Sequence, residues 1–194
     1  MSARAVVGSV SQAAGVIALL ALSAPPVRAL SSPALATRPL YSAGGYSPEQ
    51  PFQRPVSVAV SEANRVIYVA DPADHKIIAL SLQGVHGFTI EVGKHFDPVS
   101  AAVGPGGRLF VADRAAAAVR IFSSSGDIEA ELPLAELGEG EPVRVGRITL
   151  DAAGKLYLVD QGNCQVLVFD ENRQLKLRIG RRGAGLRERG VETR

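Results

Sequence analysis

The chain has 194 residues, 46% of them hydrophobic and 21% charged, a composition that excludes a disordered or collagen-like chain and allows a substantial core. Its 20 glycines and 12 prolines, against one methionine and no tryptophan, favour many short strands closed by turns over long helices. The formal charge of +2 is unevenly placed: residues 30–175 hold 12 basic and 17 acidic side chains, and residues 176–194 hold seven basic against Glu188 and Glu192.

At the N-terminus, Arg4 gives a positive start and residues 13–24 (AAGVIALLALSA) an apolar stretch of signal-peptide length, followed by Pro25 and Pro26. Val27-Arg28-Ala29 places small residues at the −3 and −1 positions of a cleavage site after Ala29, and Ala34-Leu35-Ala36 offers a second. Residues 1–29 are therefore expected to be a helical signal segment, removed at Ala29 or as late as Ala36, which makes the protein exported, periplasmic or extracellular. The alternative is an uncleaved membrane anchor, because residues 5–24 approach the roughly 20 needed to span a bilayer. Ser9, Ser11 and Gln12 interrupt that run. The single cysteine, Cys164, allows no intramolecular disulfide. Residues 30–54 read as a linker.

From residue 55 the chain repeats itself, with a period in the range typical of propeller blades. Val66–Asp71 (VIYVAD), Leu109–Asp113 (LFVAD) and Leu156–Asp160 (LYLVD) are versions of one strand, their aspartates 42 and 47 residues apart. Upstream, residues 55–61 (PVSVAVS), 98–104 (PVSAAVG) and 146–151 (GRITLD) each read as a first strand. They lead into hairpin turns at 61–64 (SEAN), 104–107 (GPGG) and 151–154 (DAAG). Downstream, alternating Ile77 and Ala79, Val119 and Ile121, and Val166 and Val168 predict a third strand. Gly84, Gly126 and Arg173 all fall thirteen residues after the aspartate, in turns that lead to fourth strands at 89–92, 128–132 and 175–179. Each unit is thus a four-stranded antiparallel meander whose apolar faces need neighbours on both sides.

The YVAD strand followed by a polar turn and HKI, and the YLVD-QGNCQVLVF segment followed by IG, resemble the NHL repeat over residues 55–180, in three copies at about 55–97, 98–143 and 144–180. The second copy departs from the pattern, with Arg114 and a run of alanines where a polar turn is expected. The resemblance implies an all-β fold, a six-bladed β-propeller in the usual case, with binding through loops on one face. Three copies are fewer than the roughly four to eight blades of closed propellers, so the expectation is an incomplete propeller: a piece of a longer array, half of a homodimer that completes a ring, or an open array. Residues 179–185 resemble a glycine-rich link between NHL units, and residues 181–194 read as a basic, disordered tail.

Adjacent connections of a meander alternate between its two ends, so one end gathers the turns after the three aspartates and the inter-blade links. The candidate binding face there comprises Asp71, Asp74, His75, Lys76, Lys94, His95, Asp113, Arg114, Asp160 and Asn163. Asp71, Asp113 and Asp160, with Gly84 and Gly126, also read as structural positions of the repeat, because an Asp closing a strand can accept backbone N–H groups and fix the turn. A calcium ring of the three aspartates is the sharper alternative, though calcium takes about six to eight oxygens. No catalytic residue, cofactor or metal site is assigned: His75 stands beside Asp74 but is replaced by Ala117 and Cys164 in the other copies, and the tail lacks the aromatic residues and modules of nucleic-acid binding. The expected function is an exported scaffold that binds a protein or a small ligand. The alternative, implied by resemblance to propeller lactonases and lyases, is an enzyme with a metal ion in the channel.

Overall fold

In the computed structural model, which describes residues 42–47 and 50–180, the three repeats are three separate four-stranded sheets. The expected signal segment, its cleavage sites and the basic tail lie outside the described residues. A short ladder, β1 (Gly45–Ser47) with β2 (Gln50–Pro51), comes first, within the stretch read as linker. The first sheet then runs β3 (Ser57–Ser61), β4 (Val66–Asp71), β5 (Lys76–Ser81) and β6 (His86–Glu91). The second runs β7 (Pro98–Val103), β8 (Leu109–Asp113), β9 (Ala118–Phe122) and β10 (Ile128–Pro133), and the third β11 (Val145–Leu150), β12 (Leu156–Asp160), β13 (Gln165–Phe169) and β14 (Leu175–Ile179). Each sheet is a simple antiparallel meander in chain order, so the all-β architecture of three four-stranded antiparallel blades is as expected.

The side-chain period of two explains how a middle blade has two apolar faces. Leu109 and Val111 of β8 face back, packing with Phe122 against Tyr68, Ala70, Ile77 and Ala79 of the first blade. Phe110 between them and Ala112 after them face forward, packing with Val119 against Leu156, Leu158, Leu167 and Phe169 of the third. Burying each such aliphatic side chain contributes roughly 1.5–3 kcal/mol. The innermost strands are also tied directly: the Ala101 N–H donates to Ser57 Oγ at 3.1 Å, and the Ile148 N–H to Ser100 Oγ at 3.2 Å. In the first two blades the serine of the inner strand thus accepts a bond from the following blade.

The two end faces differ. On the first blade Val69, Ile78 and Leu80 are buried, and Phe52 from the segment after β2 packs on them. On the third, Val159, Leu177 and Ile179 remain 40–54% exposed. Substitutions should separate the two environments in urea melts: Leu158→Ala, at a site with no exposure, is expected to cost about 2–5 kcal/mol, and Leu177→Lys to stay within about 0.5 kcal/mol.

The hairpins between third and fourth strands need a left-handed residue, and Gly84, Gly126 and Arg173 supply it at φ 80°, 94° and 66°. At Gly126 space is short as well, since a Cβ would lie 2.9 Å from Phe88 Cε2 and 3.1 Å from Ile90 Cγ1 of the first blade. Gly126→Ala is expected to destabilise the chain by about 1–3 kcal/mol in the same melts, combining backbone strain with overpacking.

Candidate functional site

Asp71, Asp113 and Asp160 close their strands with no solvent exposure, so the structure places them beneath the expected binding face. Each carboxylate gathers N–H donors from two segments. Asp71 accepts from Gln53 N at 2.7 Å, Arg54 N at 2.9 Å and Ala73 N at 3.2 Å. Asp113 accepts from Asp97 N, Ala115 N and Ala116 N at 3.1–3.3 Å, and from Arg120 Nε at 2.9 Å. Asp160 accepts from Arg144 N, Gly162 N and Asn163 N, and from the side-chain amides of Asn163 at 2.7 Å and Gln165 at 3.0 Å. The same clamp recurs three times: one carboxylate holds the segment entering its blade against the turn leaving its second strand. An oxygen surrounded by N–H groups is a poor cation ligand, so the calcium ring does not fit these residues.

The other expected residues divide. His75 is exposed in the turn, at φ 57°, and its Nδ1–H donates to Phe96 O at 2.7 Å, tying that turn to the inter-blade link. Ala117 and Cys164 hold the same left-handed conformation at φ 47° and 54°, so the position is a turn position in all three copies. Lys76 pairs with Glu91 at 3.1 Å, Asp74 is half-buried, and Lys94 and His95 are exposed in the link. Asn163 is buried, its amide spent on Asp160 and on Glu141 O. Arg114 borders a cavity between the inner strands, with its Nε held by Asp97 Oδ2 at 2.8 Å.

That cavity, of about 340 Å³, opens at the clamped end of the blades. Two repeat positions build it. The residue after each aspartate contributes Pro72, Arg114 and Gln161, and the inner strands contribute Val56, Val99 and Gly146. Arg54, Val145 and Arg147 complete the lining. Through Val56, Val99 and Arg147 it is continuous with a groove of about 460 Å³ between β3, β7 and β11, bordered by aliphatic, serine and threonine side chains and one charge, Arg147. Sequence reasoning placed Gln161 on the expected face, in the turn from Asp160 to Cys164, and missed Arg54 and Arg147. The available signal was register: counted back from the hairpin turn, Arg147 stands where the first two copies have Ser57 and Ser100.

A channel metal, as implied by resemblance to propeller enzymes, finds no holder here. Neither cavity is lined by His, Cys, Asp or Glu, and among the described residues no three such side chains come together.

No family model matches the chain, and no curated protein sequence matches it. Solved structures do. The chain is similar to virginiamycin B lyase from Staphylococcus aureus, with TM-score 0.53 and 15% identity over 63% of this chain and 40% of that one. It is similar to a gluconolactonase from Xanthomonas campestris, with TM-score 0.53 and 13% identity over 64% and 48%, and to the hydrazine synthase of Kuenenia stuttgartiensis, with TM-score 0.52 and 15% identity over 64% and 36%. These likenesses establish the fold, blades of a β-propeller, and this chain spans less than half the length of those it matches.

The clamp makes a prediction about acid. Burial pushes the Asp160 carboxyl up, but the amides of Gln165 and Asn163 and the backbone N–H groups of Arg144 and Asn163 outweigh it, leaving the group below its ordinary value. A carboxyl depressed on folding contributes stability that is complete above its unfolded value, near about 3.9, and is lost as pH falls through the folded one. Urea melts between pH 2 and 6 should therefore show an acid limb that Asp160→Asn flattens, with a loss at neutral pH of about 1–3 kcal/mol. An unchanged limb in the variant would remove Asp160 as its source.

Proposed function

We propose that this chain is an exported propeller of the NHL-repeat kind that works as a binding scaffold, taking its ligand at the clamped end of the blades. One observation carries the reading: matching repeat positions from all three blades, Pro72, Arg114 and Gln161 with Val56, Val99 and Gly146, border a single cavity. A repeat that delivers one side chain per blade to a common mouth builds a recognition surface whose character is set by a few substitutions on a fixed frame. Export rests on the basic, apolar and small-residue order of the first 29 residues.

The lyase and lactonase among the fold neighbours motivate the enzyme reading, which borrows function from fold. It needs acid–base or metal-holding groups in the channel, and the groove lining contributes serine, threonine, aliphatic side chains and Arg147. The carboxylates of Asp71, Asp113 and Asp160 are engaged in the clamps, and that of Asp97 is paired with Arg114.

Protein-observed NMR of the isotopically labelled, purified chain against a fragment library of mixed charge tests the scaffold. Binding fragments are expected to shift the backbone amides of Arg54, Ser57, Arg114, Gly146 and Arg147. Hits whose perturbations all fall on other surfaces would refute the placement, as would steady chemical conversion of the fragments.

A further inference from the structure

We infer that the mouth lined by Arg54, Arg114 and Arg147 takes a small organic anion, a carboxylate or phosphate group carried on an apolar body. The inference rests on the scaffold reading and adds the chemistry of the ligand. Three arginines and no acidic residue line the cavity, although the repeat region as a whole holds more acidic than basic side chains. A concave site lined by one sign of charge concentrates its field and attracts the opposite charge.

The arginines are placed to use it. Asp97 holds Arg114 by Nε alone, which leaves both terminal NH₂ groups for a bidentate partner. Arg54 and Arg147 are exposed, and neither has an ion-pair partner among the described residues. Around the charges stand Val56, Val99, Val145 and Pro72, with the Gln161 amide beside them. A volume of about 340 Å³ lies at the small end of the range for ligand pockets, about 300–1,000 Å³. It suits a single ring bearing one anionic group.

Repeat register separates this role from a structural one. Ser57 and Ser100 each accept an N–H from the following blade, and Arg147, at the same position, has no acceptor to offer in their place. Arg114 likewise stands where the other copies hold Pro72 and Gln161. Arg147 is therefore a departure from a shared serine, Arg114 stands at a position that varies in every copy, and the other copies supply folded replacements for both.

The test is calorimetric titration of the full purified chain with phenyl phosphate, benzoate and neutral benzyl alcohol. The expected result is binding of at least one anion, weakened by added salt. Benzyl alcohol and the Arg147→Ser and Arg114→Gln variants should each bind at least about tenfold more weakly, the loss of one charge-assisted pair. Arg108→Ala, at the opposite end of the second blade, should bind as the parent does. Tighter binding of phenyl phosphate assigns a phosphate ester, and tighter binding of benzoate a carboxylate. Failure of both anions, equal affinity for benzyl alcohol, or full affinity in Arg147→Ser would overturn the inference. Neutral fragments mapping to the mouth by NMR would leave the scaffold standing while the anion falls, whereas a mouth that no fragment perturbs removes both.

Discussion

A carboxylate removed from water costs several kcal/mol unless its oxygens are met by donors. Asp71, Asp113 and Asp160 are all removed from water, and all are met. The donors come from two places far apart in sequence: the turn just after the aspartate, and the entry segment sixteen to eighteen residues before it. Neither segment can move away without stranding the charge, so the carboxylate fixes where each blade begins. The amides of Arg54, Asp97 and Arg144 occupy equivalent places in this arrangement. Two of those residues reach the mouth directly: Arg54 lines it, and Asp97 holds Arg114 in it. Structure and candidate site thus share one device, in which the segment whose backbone amide satisfies the buried charge also brings a side chain to the mouth.

The clamp tolerates change because its geometry is kept by the first oxygen and varied at the second. In each copy Oδ1 accepts from the entry segment and the turn. Oδ2 accepts from the backbone of Gln53 in the first, the guanidinium of Arg120 in the second, and the amides of Asn163 and Gln165 in the third. Arg120 also lies 5.9 Å from the centre of the Phe96 ring and 3.6 Å from Glu131, so the second blade couples its clamp to the packing of the link and to its edge strand. His75 performs a related task in the first blade by donating to Phe96 O. Such residues look chemical in a sequence because they are polar and clustered. In the fold they hold segments of chain together.

That distinction marks what could be read from the sequence. The second strands were legible because an apolar run ending in Asp has little choice but to be buried on both faces and stop. The hairpins were legible because glycine or a short polar residue recurs at fixed offsets. The β1–β2 ladder was not, since strands of two and three residues carry no period. The burial of the aspartates was not either, because it depends on donors brought in from another segment. The mouth was half visible: Arg114 belonged to the expected face, but Arg147 reads as an ordinary charge in a strand until Ser57 and Ser100 are seen to share its position and its neighbours.

Register also separates the third blade from the others. In the first two copies the forward contact relies on a serine in the inner strand, Ser57 or Ser100, and on an alanine just before the aspartate, Ala70 or Ala112, each fully buried against the next blade. In the third copy both positions change: Arg147 replaces the serine, and Val159, 40% exposed, replaces the alanine. A sheet stacked on this face would meet a bulkier side chain and lose the hydroxyl acceptor at the channel, so it could not repeat the contacts made by its predecessors. The same two substitutions that alter the forward face turn an arginine toward the channel. At the groove, departure from the repeat falls on the third blade, whose inner strand brings the one charge, Arg147, to a lining otherwise made of aliphatic, serine and threonine side chains.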